Sequence, residues 1–147
     1  MIDDETQRLS EVVLKTEEGY SRFPYLDTKK ILTIGYGRNL VATGLSESES
    51  YYLLKNDIEE ARAKLTAAMP RFRVLNPVRQ TVLISMTVQM GIRGVLNFVR
   101  MVTAIEVGNY MLAGKEIMDS KFAKKDTPER AVRMARMMES GELLEYY

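Results

Sequence analysis

The 147-residue sequence contains no cysteine and no histidine. Their absence excludes disulfides, cysteine nucleophiles, Ser-His-Asp triads and zinc sites built from imidazole or thiolate ligands. Acid–base chemistry in this chain must therefore come from carboxylates, lysine or tyrosine. We expect no metal and no cofactor.

Charge of one sign and long apolar runs are also scarce. Lysine and arginine number 21 against 20 aspartate and glutamate, so the net charge of +1 gives no global attraction to nucleic acid or to anionic membranes. The most apolar run, residues 82–90, is about half the roughly 20 residues that a membrane-spanning helix needs. This run is therefore expected to be a core helix, and we expect no membrane insertion. Because no aromatic residues are interleaved with the basic ones, we also expect no nucleic-acid partner.

The N-terminus, Met1 to Glu5, lacks the basic and apolar regions of a secretory signal peptide. We therefore expect the protein to remain in the cytoplasm in which it is made. With 46% hydrophobic residues, the composition is that of one globular domain or two small lobes.

The first third of the chain predicts a small α+β lobe. Hydrophobic residues at helical spacing indicate an amphipathic helix over residues 3–18, and Gly19 follows as a stop. Residues 24–37 are enriched in β-branched and aromatic residues, which indicates a hairpin or a three-stranded sheet. Ser46-x-x-Glu49 is a capping box that opens a long helix, ended by Pro70.

Everything beyond that helix is predicted to be helical. Asn76 and Pro77 open an apolar helix over residues 77–90, which we expect at the centre of the larger lobe. Thr127 and Pro128 open another helix, running to about Met138. Four glycines are predicted to punctuate shorter helices: Gly91, Gly94, Gly108 and Gly114.

The predicted fold class is therefore α+β and mostly helical, as a single domain over residues 1–147. We expect a small β-hairpin lobe at about 14–50, an interlobe helix at about 46–68 and a helical lobe at about 70–147. The N-terminal helix is expected to pack on the helical lobe.

Glu18 is the first candidate for chemistry. It stands where a helix ends, beside Glu17 and immediately before Gly19. The negative end of the helix dipole and the neighbouring carboxylate both favour the protonated form that a general acid requires. A solvated, frayed helix end is the alternative interpretation of the same residues.

Asp27 and Thr33 are the second candidate. Asp27 closes the first strand and Thr33 lies on the returning strand, so a tight hairpin makes them neighbours. A carboxylate beside a hydroxyl can hold one water in a fixed direction, as a general base does in hydrolysis. The alternative is an aspartate that starts a turn and a threonine that fills a strand.

Together these residues form a pattern that resembles the active-site segment of phage-type lysozymes, glycoside hydrolase family 24. The resemblance lies in Glu18-Gly19, Asp27-Thr28 and the run from Thr33 to Gly37, and it continues through residues 86–91 and 119–133. It covers nearly the whole chain.

The resemblance implies the two-lobed lysozyme fold and cleavage of the β-1,4 bond from N-acetylmuramic acid to N-acetylglucosamine in peptidoglycan. It implies that Glu18 is the general acid and that Asp27 and Thr33 position the attacking water. Further residues are implied in substrate binding or support of the site: Gly35, Tyr36, Gln89, Arg130 and Arg133. The family arginine matched by Arg130 lies near the catalytic acid, where a cation would oppose protonation of Glu18.

Three positions depart from the family pattern. Arg38 stands where the family often has histidine, Lys30 where the hairpin turn often has glycine, and Phe122 where a tryptophan is usual. Lys30 leaves the turn type and the register between Asp27 and Thr33 open.

The leading hypothesis is a phage endolysin, a monomer that cuts peptidoglycan glycan strands. It would stay in the host bacterial cytoplasm until a separate holin opens the membrane. A lytic transglycosylase remains an alternative, although it needs no second carboxylate, and so does a catalytically silent cell-wall-binding or virion-structural module. Zinc amidases and Cys-His peptidases are excluded by the missing histidine and cysteine.

Overall fold

The N-terminal helix is followed directly by the residues of the candidate site. The computed structural model describes residues 4–147 and contains helix α1 at Asp4–Glu18. The predicted start at Asp3 lies outside the described residues. The backbone N–H of Gly19 donates to Lys15 O at 3.1 Å and the helix ends there, as predicted.

Three antiparallel strands form the predicted sheet, in the order β1 (Ser21–Leu26), β2 (Leu32–Gly35) and β3 (Arg38–Asn39). Strand β1 begins before residue 24 because Ser21 pairs with Gly35. The pairing shifts between Ser21 and Tyr25, where Pro24 supplies no N–H, and an edge strand tolerates this loss.

Helix α2 (Glu47–Ala68) begins at the predicted capping box. Ser46 Oγ accepts from the N–H of Glu49 at 3.1 Å, and Glu49 Oε2 accepts from the N–H of Ser46 at 2.8 Å. Two backbone donors that have no partner inside the helix are thereby satisfied. Pro70 lies beyond the helix end and opens a 3-10 turn at Pro70–Val74.

Helix α3 (Pro77–Leu96) begins at the predicted N-cap, because Asn76 Oδ1 accepts from Arg79 N at 2.9 Å. The predicted end at residue 90 coincides with a break, since Gly91 has φ +78° and ψ 162°. A second helical segment continues from there to Leu96.

The remaining elements are α4 (Val99–Glu106), α5 (Tyr110–Met118), a π-helical turn (Phe122–Asp126) and α6 (Pro128–Ser140).

Two of the four glycines predicted to punctuate helices lie inside them, so that prediction was wrong for Gly94 and Gly114. Gly114 is buried within α5, and a Cβ atom there would lie 2.8 Å from Cδ of Glu139. Gly94 lies within α3, where a Cβ would come 2.8 Å from Cγ of Met90. Both glycines permit close packing and do not end a helix.

The chain divides into two compact units, Met1–Tyr51 and Tyr52–Tyr147. The second is all-helical, and its largest fully buried side chains are Leu65, Met69, Val82, Leu83, Met86, Val95, Met101, Ile105, Ile117, Met137 and Met138. The predicted fold class, α+β and mostly helical with a small antiparallel sheet, is confirmed. Within residues 4–147 no single helix is both long and apolar enough to cross a membrane; α3 and α4 pass that test only as a pair, across a 95° bend.

Candidate active site

Glu18 is the last residue of α1, and its exposed side chain lies against the turn between β2 and β3. A Cβ atom added at Gly37 in that turn would overlap the Glu18 carboxyl group, at 2.7 Å from Cδ and 3.0 Å from Cγ. Gly37 also has φ +73°, a left-handed conformation that favours glycine. The backbone of the turn therefore forms a wall beside the Glu18 carboxyl group.

Asp27 starts the turn between β1 and β2, and one of its two carboxylate oxygens accepts hydrogen bonds from the backbone of that turn. Oδ1 accepts from the backbone N–H of Lys29 and of Ile31, both at 2.8 Å. Oδ2 has no hydrogen-bond partner in the part of the chain that the structure describes. The turn-starting interpretation is thus observed, and it leaves one oxygen available to a water molecule.

Thr33 lies on the central strand and is 4% exposed. Its hydroxyl donates to Ile31 O at 2.9 Å, which uses its hydrogen and leaves its lone pairs free to accept. Thr33 pairs with Tyr25, and Asp27 follows Tyr25 by two positions. Asp27 lies one residue beyond β1, where its N–H donates to Ile31 O at 3.0 Å and continues the antiparallel pairing. Because alternate residues of paired strands share a face, this register puts Asp27 diagonal to Thr33.

Tyr36 lies in the same turn as Gly37, and its ring lies beside two residues that were not predicted as site residues, Tyr20 and Lys15. The ring centroids of Tyr36 and Tyr20 are 5.6 Å apart at an interplanar angle of 46°. The ammonium of Lys15 lies 5.9 Å from the Tyr36 centroid. A signal was present in their spacing, because Lys15 and Tyr20 flank Glu18 at three residues before and two residues after it.

Lys30 and Gly35 take backbone conformations that favour glycine. Lys30 has φ +62° and is the one residue other than glycine with a positive φ among residues 4–147. This explains why glycine suits the position better than lysine. Gly35, opposite Ser21 in the sheet, has φ +66° and precedes the turn.

Arg38 ties the sheet to the start of α2. Its guanidinium forms an ion pair with Glu49 and donates to Gly44 O at 3.1 Å. The Ser46 backbone N–H has the largest effect and holds the pKa of Glu49 below its ordinary value. Desolvation opposes it, and the charge of Arg38 lowers the pKa further by a smaller amount. Arg38 therefore has a structural role in the small unit.

The other predicted residues lie in the helical unit. Gln89 donates to Thr127 Oγ1 at 3.3 Å, and Arg130 donates to Ser85 Oγ at 2.7 Å, so the two hydrogen bonds join α3 to the start of α6. The Arg133 guanidinium lies 4.3 Å from the ring centroid of Tyr146. Arg133 thus contacts the C-terminal residues.

Gln89 also lines a cavity of about 760 Å³ in the helical unit. Phe122 lines the same cavity, and its ring meets that of Phe98 edge-on, with the ring centroids 6.4 Å apart.

Comparison with known proteins relates the sequence to a known family. Residues 15–134 match the family described as Phage lysozyme. A protein of Dictyostelium discoideum named "Probable T4-type lysozyme 1" is 28% identical over 163 aligned residues, which cover 91% of this chain and 95% of that protein. The family match includes all eight residues predicted for the site: Glu18, Asp27, Thr33, Gly35, Tyr36, Gln89, Arg130 and Arg133.

Proposed function

The chain belongs to the phage lysozyme family, and we propose that it hydrolyses the β-1,4 bond between N-acetylmuramic acid and N-acetylglucosamine in peptidoglycan. Membership of the family makes it a glycoside hydrolase of the lysozyme class. The observation that best supports the assignment of its catalytic acid is the close approach of Gly37 to Glu18. A glycine at this point lets the backbone pack on the carboxyl group and restrict its orientation.

In the proposed reaction Glu18 is the general acid. Its proton passes to the glycosidic oxygen as the bond from that oxygen to the anomeric carbon breaks, through a transition state with oxocarbenium character. Glu18 leaves this step as a carboxylate. Its exposed position at the end of α1 allows the glycan to reach it.

Asp27 and Thr33 supply the water in this proposal. Oδ2 of Asp27 takes a proton from the water, Thr33 Oγ1 accepts a hydrogen bond from it, and the water oxygen becomes the new hydroxyl on the anomeric carbon. Family resemblance points to inversion, for which the two carboxyl groups stand roughly 6.5–9.5 Å apart around the water. The free Oδ2 favours hydrolysis over a transglycosylase reaction, which has no use for a second carboxylate.

Mass spectrometry of muropeptides released from purified sacculi tests this function. Hydrolysis leaves reducing N-acetylmuramic acid, which borohydride converts to muramitol. Transglycosylation leaves 1,6-anhydro-muramic acid, which is lighter by one water and inert to borohydride. We expect reducing products from the wild type and at least about 100-fold less of them from Glu18→Gln. Anhydro products overturn hydrolysis, and an absence of products from the wild type supports a non-catalytic module.

We also propose a biological setting, in which the protein is a monomeric phage endolysin in the host cytoplasm. It reaches the glycan strands after a separate holin opens the membrane. The description of the matching family supports this setting. Expression in a bacterial host with and without a holin tests it: lysis is expected only with the holin, and lysis without it contradicts the dependence.

A further inference from the structure

An exposed pair of aromatic rings lies beside the carboxyl group assigned as the catalytic acid. Tyr20 is 68% exposed and Tyr36 is 50% exposed, although their ring centroids are only 5.6 Å apart. Rings that pair to stabilise a fold normally bury most of their surface in a core. Two neighbouring rings left open to solvent form a surface suited to stacking with a ligand.

A lysine without a carboxylate partner borders this pair. The ammonium of Lys15 lies 5.9 Å from the centroid of Tyr36. No carboxylate of residues 4–147 lies within ion-pair distance of it, whereas Arg8 on the same helix pairs with Glu5 at 2.7 Å. The cluster therefore combines aromatic faces with one positive charge that is free to meet an anion.

The position of the cluster connects it to the reacting group. Tyr36 directly precedes Gly37, the residue packed against Glu18, and Tyr20 follows Glu18 by two residues. Lys15 is one helical turn before Glu18, and residues three apart are neighbours on a helix surface. A sugar bound near Glu18 would therefore have the two rings and the ammonium within reach.

We propose that Tyr20, Tyr36 and Lys15 form a subsite for a muramic acid unit of the glycan that carries no stem peptide. The apolar face of its pyranose ring stacks on the tyrosines, and Lys15 pairs with its lactyl carboxylate, which is neutral where it is amide-bonded to a peptide. The charge complementarity decides the occupant, because N-acetylglucosamine carries no carboxylate and peptide-free muramic acid does. This inference rests on the proposed function, since it assigns the subsite to the same substrate.

The test measures binding separately from catalysis, by titration calorimetry in a Glu18→Gln background. One probe is peptide-free glycan strands, prepared from sacculi with an amidase so that the lactyl carboxylates are free. The other is an N-acetylglucosamine hexamer, which has no carboxylate. The test variants are Tyr20→Leu, Tyr36→Leu and Lys15→Met, and Tyr52→Leu removes a 62% exposed tyrosine outside the cluster as a matched control.

We expect each leucine variant of the cluster to weaken binding of both probes about fivefold, with Tyr52→Leu unchanged. Tyr20→Phe and Tyr36→Phe should keep parental affinity because they keep the rings. Lys15→Met should weaken only the glycan strands, and this difference should vanish in about 1 M salt. Melting curves establish whether each variant is folded. If a leucine variant is unfolded, the test of that ring relies on the corresponding phenylalanine variant.

The proposed subsite is contradicted if both leucine variants bind the probes as tightly as the Glu18→Gln parent. It is also contradicted if the phenylalanine variants lose affinity. An equal effect of Lys15→Met on the two probes overturns the assignment to muramic acid. Hydrolysis of sacculi by the wild type, followed in parallel, shows whether the subsite alone has failed. If the wild type releases no reducing products, both proposals fall.

Discussion

Gly37 and the carboxyl group of Glu18 are in direct contact, although one lies in a β-turn and the other ends a helix. A Cβ atom at residue 37 would stand 2.7 Å from Cδ of Glu18, closer than nonbonded carbon atoms approach. The position of the proposed proton donor thus depends on the absence of a side chain in the turn.

Gly37→Ala should displace the Glu18 carboxyl group. A displacement of about an ångström lowers the reaction rate roughly 100-fold. Alanine in the left-handed backbone of residue 37 also lowers the free energy of unfolding by about 1–2 kcal/mol. Gly44→Ala is the matched control, since Gly44 has φ +60° but its added Cβ would be 4.0 Å from Leu40 O. We expect similar losses in melting temperature but a loss of sacculus hydrolysis only in Gly37→Ala. Equal activity in the two variants would refute the role of the contact.

Glu18→Gln should leave the fold intact, because the side chain is exposed at a helix end and the amide is isosteric. The amide has no acidic proton to transfer to the leaving oxygen, so muropeptide release should fall by about 10²–10⁴-fold. Turbidity of permeabilised cells measures the rate, and thermal melting checks the fold. A folded variant with wild-type activity would remove Glu18 from the reaction.

Asp27 should show separate structural and chemical roles. Asp27→Asn retains an oxygen that accepts from Lys29 and Ile31 N–H but removes the charge, so we expect wild-type stability and a large loss of activity. Asp27→Ala removes both hydrogen bonds and should also destabilise the protein by about 1–3 kcal/mol. Urea unfolding and sacculus hydrolysis distinguish the variants. An active Asp27→Asn protein would leave only the structural role.

Thr33→Val should reduce activity less than Asp27→Asn, because the hydroxyl supplies one hydrogen bond to the water and the carboxylate also takes its proton. The substitution preserves the shape of a side chain that is 4% exposed, at a cost of about 1 kcal/mol for the lost bond to Ile31 O. A larger loss than in Asp27→Asn, in a folded protein, would reverse the proposed order.

Features fixed by neighbouring residues were predictable from the sequence. The capping box at Ser46 and Glu49 and the N-cap at Asn76 depend on a side chain that reaches a backbone N–H three residues away. The stop at Gly19 is equally local. These elements are observed where they were predicted.

Features fixed by distant residues were not predictable. The sequence predicts that Gly114 ends a helix. In the structure it lies beside Glu139, 25 residues later, and the sequence does not show that the two are close. Asp27 fits both a turn and a catalytic site, and the sequence does not show that the turn bonds go to Oδ1 alone among the described residues. The pairing of Tyr20 with Tyr36 depends on how the turn folds back towards α1, so no local pattern marks it.

Lys30→Gly should stabilise the protein. Lysine at φ +62° carries a steric cost of about 1–2 kcal/mol. Glycine removes this cost but adds an entropic cost of about 0.5–1 kcal/mol, so the net effect is a smaller stabilisation. The backbone bond from Lys30 N to Asp27 O remains. Lys29→Gly is the control, because Lys29 has no positive φ and glycine there brings only the entropic cost. The melting temperature should rise in Lys30→Gly and fall in Lys29→Gly. A fall in both variants would contradict the proposed backbone strain at Lys30.

Glu49 should make stability depend on pH. Its pKa is held below the ordinary value of 4.5, first by the Ser46 N–H and then by Arg38, so its stabilising effect is complete above that value and is lost as pH falls through the folded-state pKa. Glu49→Gln keeps an acceptor for the Ser46 N–H but has no charge for Arg38. We expect the wild type to unfold at higher urea concentration than the variant at about pH 6, and the gap to shrink towards about pH 3. Protonation in acid makes the glutamate resemble glutamine, so the difference in urea midpoint between wild type and variant should then disappear. If that difference stays constant or grows in acid, the carboxylate charge of Glu49 contributes nothing to stability.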